Sequence, residues 1–199
     1  MTDDGKRRWT GKGIGQGKGT AGRTAKKKVP AYNARTESSK RWIERQMADP
    51  YVKKAQAAGF RSRAAFKLLE LQDKFKLIAP GDSVVDLGAA PGGWVQVAQQ
   101  LGAKKVVGID LLEIEPIPDA VLLKGDVADE AMMTRLLEEL GDKPNVVLSD
   151  MAANTTGHRQ TDHLRTVALV ELAIEFAFDT LKPGGTFCSK VFQGGTSAE

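Results

Sequence analysis

The chain has 199 residues, 41% of them hydrophobic, and carries 29 Lys and Arg against 25 Asp and Glu. That length holds one domain and little else, with enough apolar content for a core. No apolar run approaches the roughly 20 residues that cross a bilayer, and the start, Met1-Thr2-Asp3-Asp4-Gly5-Lys6, lacks the apolar stretch of a secretory signal. A single cysteine, Cys188, excludes an intrachain disulfide, so a soluble protein of a reducing cytoplasm is expected.

Positive charge is concentrated at the N-terminus. Residues 1–41 hold 12 Lys and Arg against 3 Asp and Glu, whereas the other 158 residues hold 17 against 22. A basic arm of this kind is an electrostatic handle for a polyanion, because each neutralised phosphate releases counterions. A solubilising tail without a partner is the blander alternative. From Gly11 to Lys28 glycine recurs at nearly alternate positions with almost no apolar side chains, so burial cannot offset the entropy of ordering. Residues 1–38 are therefore expected to be a disordered basic Gly/Lys-rich tail, and residues 39–199 a folded domain.

Trp42, Ile43 and Met47 share one face of a first predicted helix, broken at Asp49-Pro50. A second is expected from Ser62 onward, with Ser62 as N-cap and Ala65, Leu68, Leu69 and Phe75 at helical spacing. The turn Ala79-Pro80-Gly81-Asp82 ends it. Short apolar strands then follow at 83–87, 105–109, 121–123, 145–149 and 186–192. Helices are expected between them near 94–101, 130–140 and 164–181. This alternation predicts an α/β fold: a largely parallel central sheet with helices on both faces. Such folds bind ligands at the carboxyl ends of their strands, so strand-terminal residues are where chemistry is expected.

After the first strand comes Asp86-Leu87-Gly88-Ala89-Ala90-Pro91-Gly92-Gly93-Trp94, opening a helix. Glycine lets the backbone approach a ligand closely, and the helix start presents free N–H groups. A dinucleotide fold prefers Gly-x-Gly-x-x-Gly; Pro91 and Trp94 disfavour an NAD enzyme. Asp86, just before the loop, suits a ligand with an amino group, and S-adenosylmethionine carries both an ammonium and a sulfonium. Asp110 ends the second strand, where an acid accepts hydrogen bonds from ribose hydroxyls. Asp126 follows the third strand, either to meet an adenine amino group or as a turn aspartate capping the next helix. Asp150 ends the fourth. Lys190 lies within the predicted fifth strand, where a buried lysine is costly unless it is paired or reaches an opening. His158 and His163 have no acid or cysteine at metal-ligand spacing and are read as loop residues; no metal site is expected.

Four segments together carry a resemblance: Arg61-Ser62-Arg63-Ala64-x-Phe66-Lys67-Leu68, Val85 to Trp94, Ser149-Asp150-Met151-Ala152, and Lys190-Val191-Phe192-Gln193-Gly194. In this order and spacing, from about Ser39 to the last residue, the chain resembles the FtsJ/RrmJ family. The resemblance implies a Rossmann-like S-adenosylmethionine-dependent methyltransferase fold, and methylation of the ribose 2′-hydroxyl of a uridine in 23S rRNA of the large ribosomal subunit. It implies that Gly92, Trp94, Asp110, Asp126 and Asp150 hold S-adenosylmethionine. It matches Lys67, Asp150 and Lys190 to three members of a Lys-Asp-Lys-Glu catalytic set. The family's catalytic glutamate lies on two strands beyond the Lys-Val-Phe-Gln-Gly segment. This sequence stops at Glu199, which is not assigned that role, so the chain reads as C-terminally shortened, without the last strands of the family fold. A monomer acting on RNA, with no membrane contact, is expected.

Lys190 is the candidate base. A free lysine has a pKa of about 10.4; burial and a nearby Lys67 would favour the neutral amine, while Asp150 opposes this and orients the side chain. Lys53, Lys54, Arg61 and Arg63 precede Lys67 and are expected to contact phosphates, as is the N-terminal tail. The alternatives are a 2′-O-methyltransferase acting on another RNA such as tRNA, or a non-catalytic RNA-binding ribosome assembly factor.

Overall fold

Five short apolar segments pair side by side because each carries hydrophobic residues on both faces of the pleat. Such strands need helices above and below them. The computed structural model describes residues 50–153 and 156–191. The expected tail, the helix around Trp42, and residues 192–199 lie outside the described residues.

The elements are α1 (Pro50–Ala57), α2 (Ala64–Phe75), β1 (Ser83–Leu87), α3 (Gly93–Gln100), β2 (Lys105–Asp110), β3 (Ala120–Lys124), α4 (Glu130–Leu140), β4 (Val146–Ser149), α5 (Arg159–Thr180) and β5 (Thr186–Ser189). All strand pairings are parallel, in the order β3-β2-β1-β4-β5. The chain first winds outward from β1 through β2 and β3, then crosses back to β4. A switch point therefore lies between β1 and β4, where open α/β sheets place their ligands.

Alternation along the strands builds two cores. Val84, Val106, Val146 and Leu148 meet Ala65 and Leu68 of α2 and Trp94, Val95, Val97 and Ala98 of α3. On the opposite face Val85, Leu87, Val107, Ile109 and Val147 meet Leu136 and Leu140 of α4 and Ala173, Phe176 and Ala177 of α5. Fully burying one such aliphatic side chain stabilises the fold by about 1.5–3 kcal/mol.

Several boundaries differ from the sequence reading. Pro50 does not simply break a helix but opens α1, since its fixed φ suits a first helical position. Arg63, not Ser62, is the N-cap of α2, with no side-chain cap. That helix stops at Phe75, which is 55% exposed, because Lys76 turns left-handed at φ 54° and its N–H closes on the Gln72 carbonyl. The 79–82 turn is a separate feature in which the Ala79 N–H donates to Asp82 Oδ2 at 2.7 Å. His163 lies inside α5 rather than in a loop, and His158 is its N-cap residue. β5 is half-buried along its length, as an edge strand is, rather than buried. None of the described helices is long and apolar enough to cross a membrane.

Candidate active site

The carboxyl ends of β1, β2 and β4 are stitched together by the loops that leave them. The N–H groups of Gly88 and Ala89 both donate to the Ile109 carbonyl, at 2.9 and 3.0 Å. The Asp150 N–H donates to the Leu87 carbonyl and the Gly125 N–H to the Asp110 carbonyl. Between these ends lies a cleft of about 280 Å³ lined by Gly88, Ala90, Asp110, Asp126, Asp150 and Met151, with Leu111, Leu112, Val127 and Leu169 forming its apolar walls.

Gly88 lies at the floor of this cleft. Its φ is +80°, and a Cβ there would lie 2.8 Å from the backbone N and Cα of Met151. Only glycine allows the loop after β1 to pass that close to the loop after β4. Gly92 begins α3 at φ +107°, and a Cβ there would lie 2.5 Å from Ile117 Cδ1.

Asp110 accepts from the Ala90 N–H at 3.0 Å and from the Leu112 N–H at 2.8 Å, one bond to each oxygen. Its carboxylate thus shapes two loops at once and keeps further lone pairs for a ligand. Asp126 Oδ1 accepts from the Ala128 N–H at 2.9 Å. It closes a turn and does not cap α4; that role falls to Asp129, which accepts from the Ala131 N–H.

Asp150 and Lys190 form an ion pair at the rim of the cleft, with side chains 18% and 33% exposed. Lys190 is not inside β5. It follows Ser189, the last strand residue, and its own N–H still donates to the Ser149 carbonyl at 2.8 Å. The ladder thus extends one residue past the strand and sets Lys190 beside Asp150.

Two sets of predicted residues stand apart from this cleft. Lys67 lies on the exposed face of α2, 62% exposed, and pairs with Glu70 at 3.2 Å. No ion pair joins it to Asp150 among the described residues. Trp94 is 3% exposed, and its indole N–H donates to the Ala64 carbonyl at 2.8 Å. It ties α3 to the start of α2, and neither it nor Gly92 lines the cleft. Arg61, read as a phosphate contact, instead turns its guanidinium onto the carbonyls of Pro91, Glu115 and Pro116. Lys54 lies over the Phe66 ring at 5.2 Å; Lys53, Lys54 and Arg63 are exposed.

Asp86 is buried beneath the glycine loop, 1% exposed, and neither carboxylate oxygen has a hydrogen-bond partner among the described residues. Burial first, then the negative charges of Asp150 and Asp110, push its carboxyl well above the usual range. The apolar walls Leu111, Leu112, Val127 and Leu169 were not read from the sequence. Their one signal is position, just past a strand end or on the helix following one.

Residues 60–199 match the family model described as FtsJ-like methyltransferase. The chain belongs to the FtsJ-like methyltransferase family. Among curated relatives, Ribosomal RNA large subunit methyltransferase E of Hyphomonas neptunium is 56% identical over 199 residues, covering 100% of this chain and 85% of that protein. The protein of the same name from Granulibacter bethesdensis is 58% identical over 165 residues, 83% of this chain and 72% of its own. Among solved structures, a Plasmodium falciparum protein described as a ribosomal RNA methyltransferase superposes with a TM-score of 0.62 at 29% identity. The match covers 68% of this chain and 80% of that one. As an FtsJ-like protein this chain is a methyltransferase, with the Rossmann-like α/β fold that the five-stranded parallel sheet displays.

Proposed function

We propose that this chain transfers the methyl group of S-adenosylmethionine to the ribose 2′-hydroxyl of a uridine in 23S rRNA of the large ribosomal subunit, acting as a monomer in the cytoplasm. The observation that carries this reading is the Asp150–Lys190 ion pair at the rim of the glycine-floored cleft. The relatives' names support the substrate class: they are ribosomal RNA methyltransferases, and this chain matches 85% and 72% of their lengths.

The cleft residues suit this methyl donor. Acidic side chains suit a molecule that carries an ammonium and a sulfonium, the Asp110 carboxylate keeps acceptor capacity for ribose hydroxyls, and Asp126 keeps it for an exocyclic amine. Gly92 and Trp94 contribute through the loop they shape. When bound, the donor supplies an electrophilic methyl on a sulfonium. The protein's own task is to orient the ribose and take its proton. Lys190, once its ammonium has released a proton to solvent, is assigned as the base for the 2′-hydroxyl, with Asp150 fixing the amine's direction. Lys67, exposed on α2, is assigned to the substrate. The basic segment 1–38 adds phosphate contacts that do not depend on sequence.

Large ribosomal subunits from cells lacking the gene, incubated with the chain and methyl-labelled S-adenosylmethionine, test the proposal. Nuclease digestion and mass spectrometry should recover the label as 2′-O-methyluridine from 23S rRNA. Label on a base, or efficient labelling of tRNA in place of the subunit, would overturn it.

A further inference from the structure

We infer that Arg61 is a positioning residue for the methyl donor, holding the floor and the apolar wall of the cofactor cleft in register, and is not an RNA contact. This rests on the function proposed above. Arg61 lies in the short connection between α1 and α2, outside the cleft, and is itself fixed by α3. Its N–H donates to Gln96 Oε1 at 2.8 Å, while Gln96 Nε2 donates to the Gly59 carbonyl at 3.1 Å. From that anchor the guanidinium reaches two segments distant in sequence. Nη1 donates to the Glu115 carbonyl at 2.5 Å and to the Pro91 carbonyl at 3.4 Å, and Nη2 to the Pro116 carbonyl at 2.8 Å.

Pro91 belongs to the glycine loop after β1. Glu115 and Pro116 belong to the β2–β3 connection, which begins with the cleft-wall residues Leu111 and Leu112. These two segments meet again where Gly92 faces Ile117 with no room for a Cβ. One planar group therefore ties together the loop forming the cleft floor and the segment forming its apolar wall. A guanidinium can do this because it offers five N–H groups in a fixed fork; a lysine ammonium on a flexible stem cannot reproduce the geometry. With three of those N–H groups committed to carbonyls, the side chain faces the protein rather than a phosphate. A clamp of this kind lowers the ordering that binding would otherwise require.

The test uses the full chain and its Arg61→Lys and Arg61→Ala variants. S-adenosylhomocysteine affinity is read by calorimetry, and affinity for a short oligouridylate is read across a salt series. Both variants should lose cofactor affinity by on the order of tenfold to 100-fold. Their KM for the methyl donor should rise, with kcat and the RNA salt slope little changed. Millimolar guanidinium should restore part of the affinity of Arg61→Ala, which general destabilisation would not allow. Cofactor affinity unchanged in Arg61→Lys would overturn the inference, and so would a salt slope reduced by about one. Should either variant fail to fold, side-chain NMR of the unsubstituted chain remains decisive. The Arg61 guanidinium should rotate slowly without RNA; free rotation that stops only on adding oligouridylate would contradict the clamp. Failure of the unsubstituted chain to bind S-adenosylhomocysteine would overturn the proposed function and this inference together, whereas binding that Arg61→Lys leaves intact would overturn the inference alone.

Discussion

Asp86 is the penultimate residue of β1, flanked in the sheet by Gly108 on β2 and Leu148 on β4, with its carboxyl group shut away from water. Desolvation disfavours its charged form, and the carboxylates of Asp150 and Asp110 add repulsion. A carboxyl whose pKa is raised on folding binds a proton that the unfolded chain has already released. Its contribution is therefore fully present below the unfolded value of about 3.9. It is lost as pH rises from there through the raised folded value. Asp86→Asn is neutral at every pH and nearly the same shape. Thermal melts of the cofactor-free chain between about pH 4 and 8 should show the variant gaining on the parent as pH rises, by about 2–4 °C per kcal/mol at this size. Parallel curves would mean that Asp86 carries no such penalty. At the same scale, the sequence pointed to Asp110, Asp126 and Asp150 because each follows a strand, and all three line one cleft. It gave no sign of the internal bonds of Arg61, whose carbonyl partners lie 30 to 55 residues away and leave no local pattern.

Among the elements, the loops after β1 and β4 depend on Gly88 for their separation. Gly88→Ala meets both a left-handed backbone and a backbone contact at 2.8 Å. The first costs about 1–2 kcal/mol, and overpacking adds about 1–3 kcal/mol. Gly141 has the same φ of +80° with nothing within 4 Å of a Cβ, so Gly141→Ala should lose only the first part. Urea unfolding of the pair should place Gly88→Ala clearly below Gly141→Ala, and only Gly88→Ala should weaken S-adenosylhomocysteine binding. Equal midpoints would deny the close approach. The strands were legible because continuous apolar runs bounded by turns have few other solutions, and 130–140 was legible through its apolar spacing. α1 was not, since its eight residues bury only Ala55 and offer little periodicity. The end of α2 was missed because Lys76 takes a left-handed conformation that usually marks a glycine.

For the whole molecule, charge and sheet order divide the work. The sheet's switch point between β1 and β4 places the cleft, while the proposed function assigns the excess of Lys and Arg in residues 1–41 to long-range attraction for RNA. Removing residues 1–38 should leave cofactor affinity intact and flatten the salt dependence of RNA binding by about 0.7–0.9 for each phosphate released. An unchanged slope would assign those contacts elsewhere. The fold class was readable because alternating strand and helix signals admit one common architecture. The relation of Lys67 to the site was not, because side-chain reach depends on packing that no spacing rule encodes. In the structure that side chain pairs with Glu70, and no ion pair joins it to Asp150 among the described residues.

Single-turnover methyl transfer to unmodified large subunits, comparing the parent chain with Lys190→Ala at matched cofactor saturation, bears most directly on this account. The variant should bind S-adenosylhomocysteine as the parent does and lose about 100-fold to 10,000-fold in rate, the usual contribution of a positioned base. A rate within a few-fold of the parent would remove the proton acceptor from the cleft's rim and the proposed reaction with it.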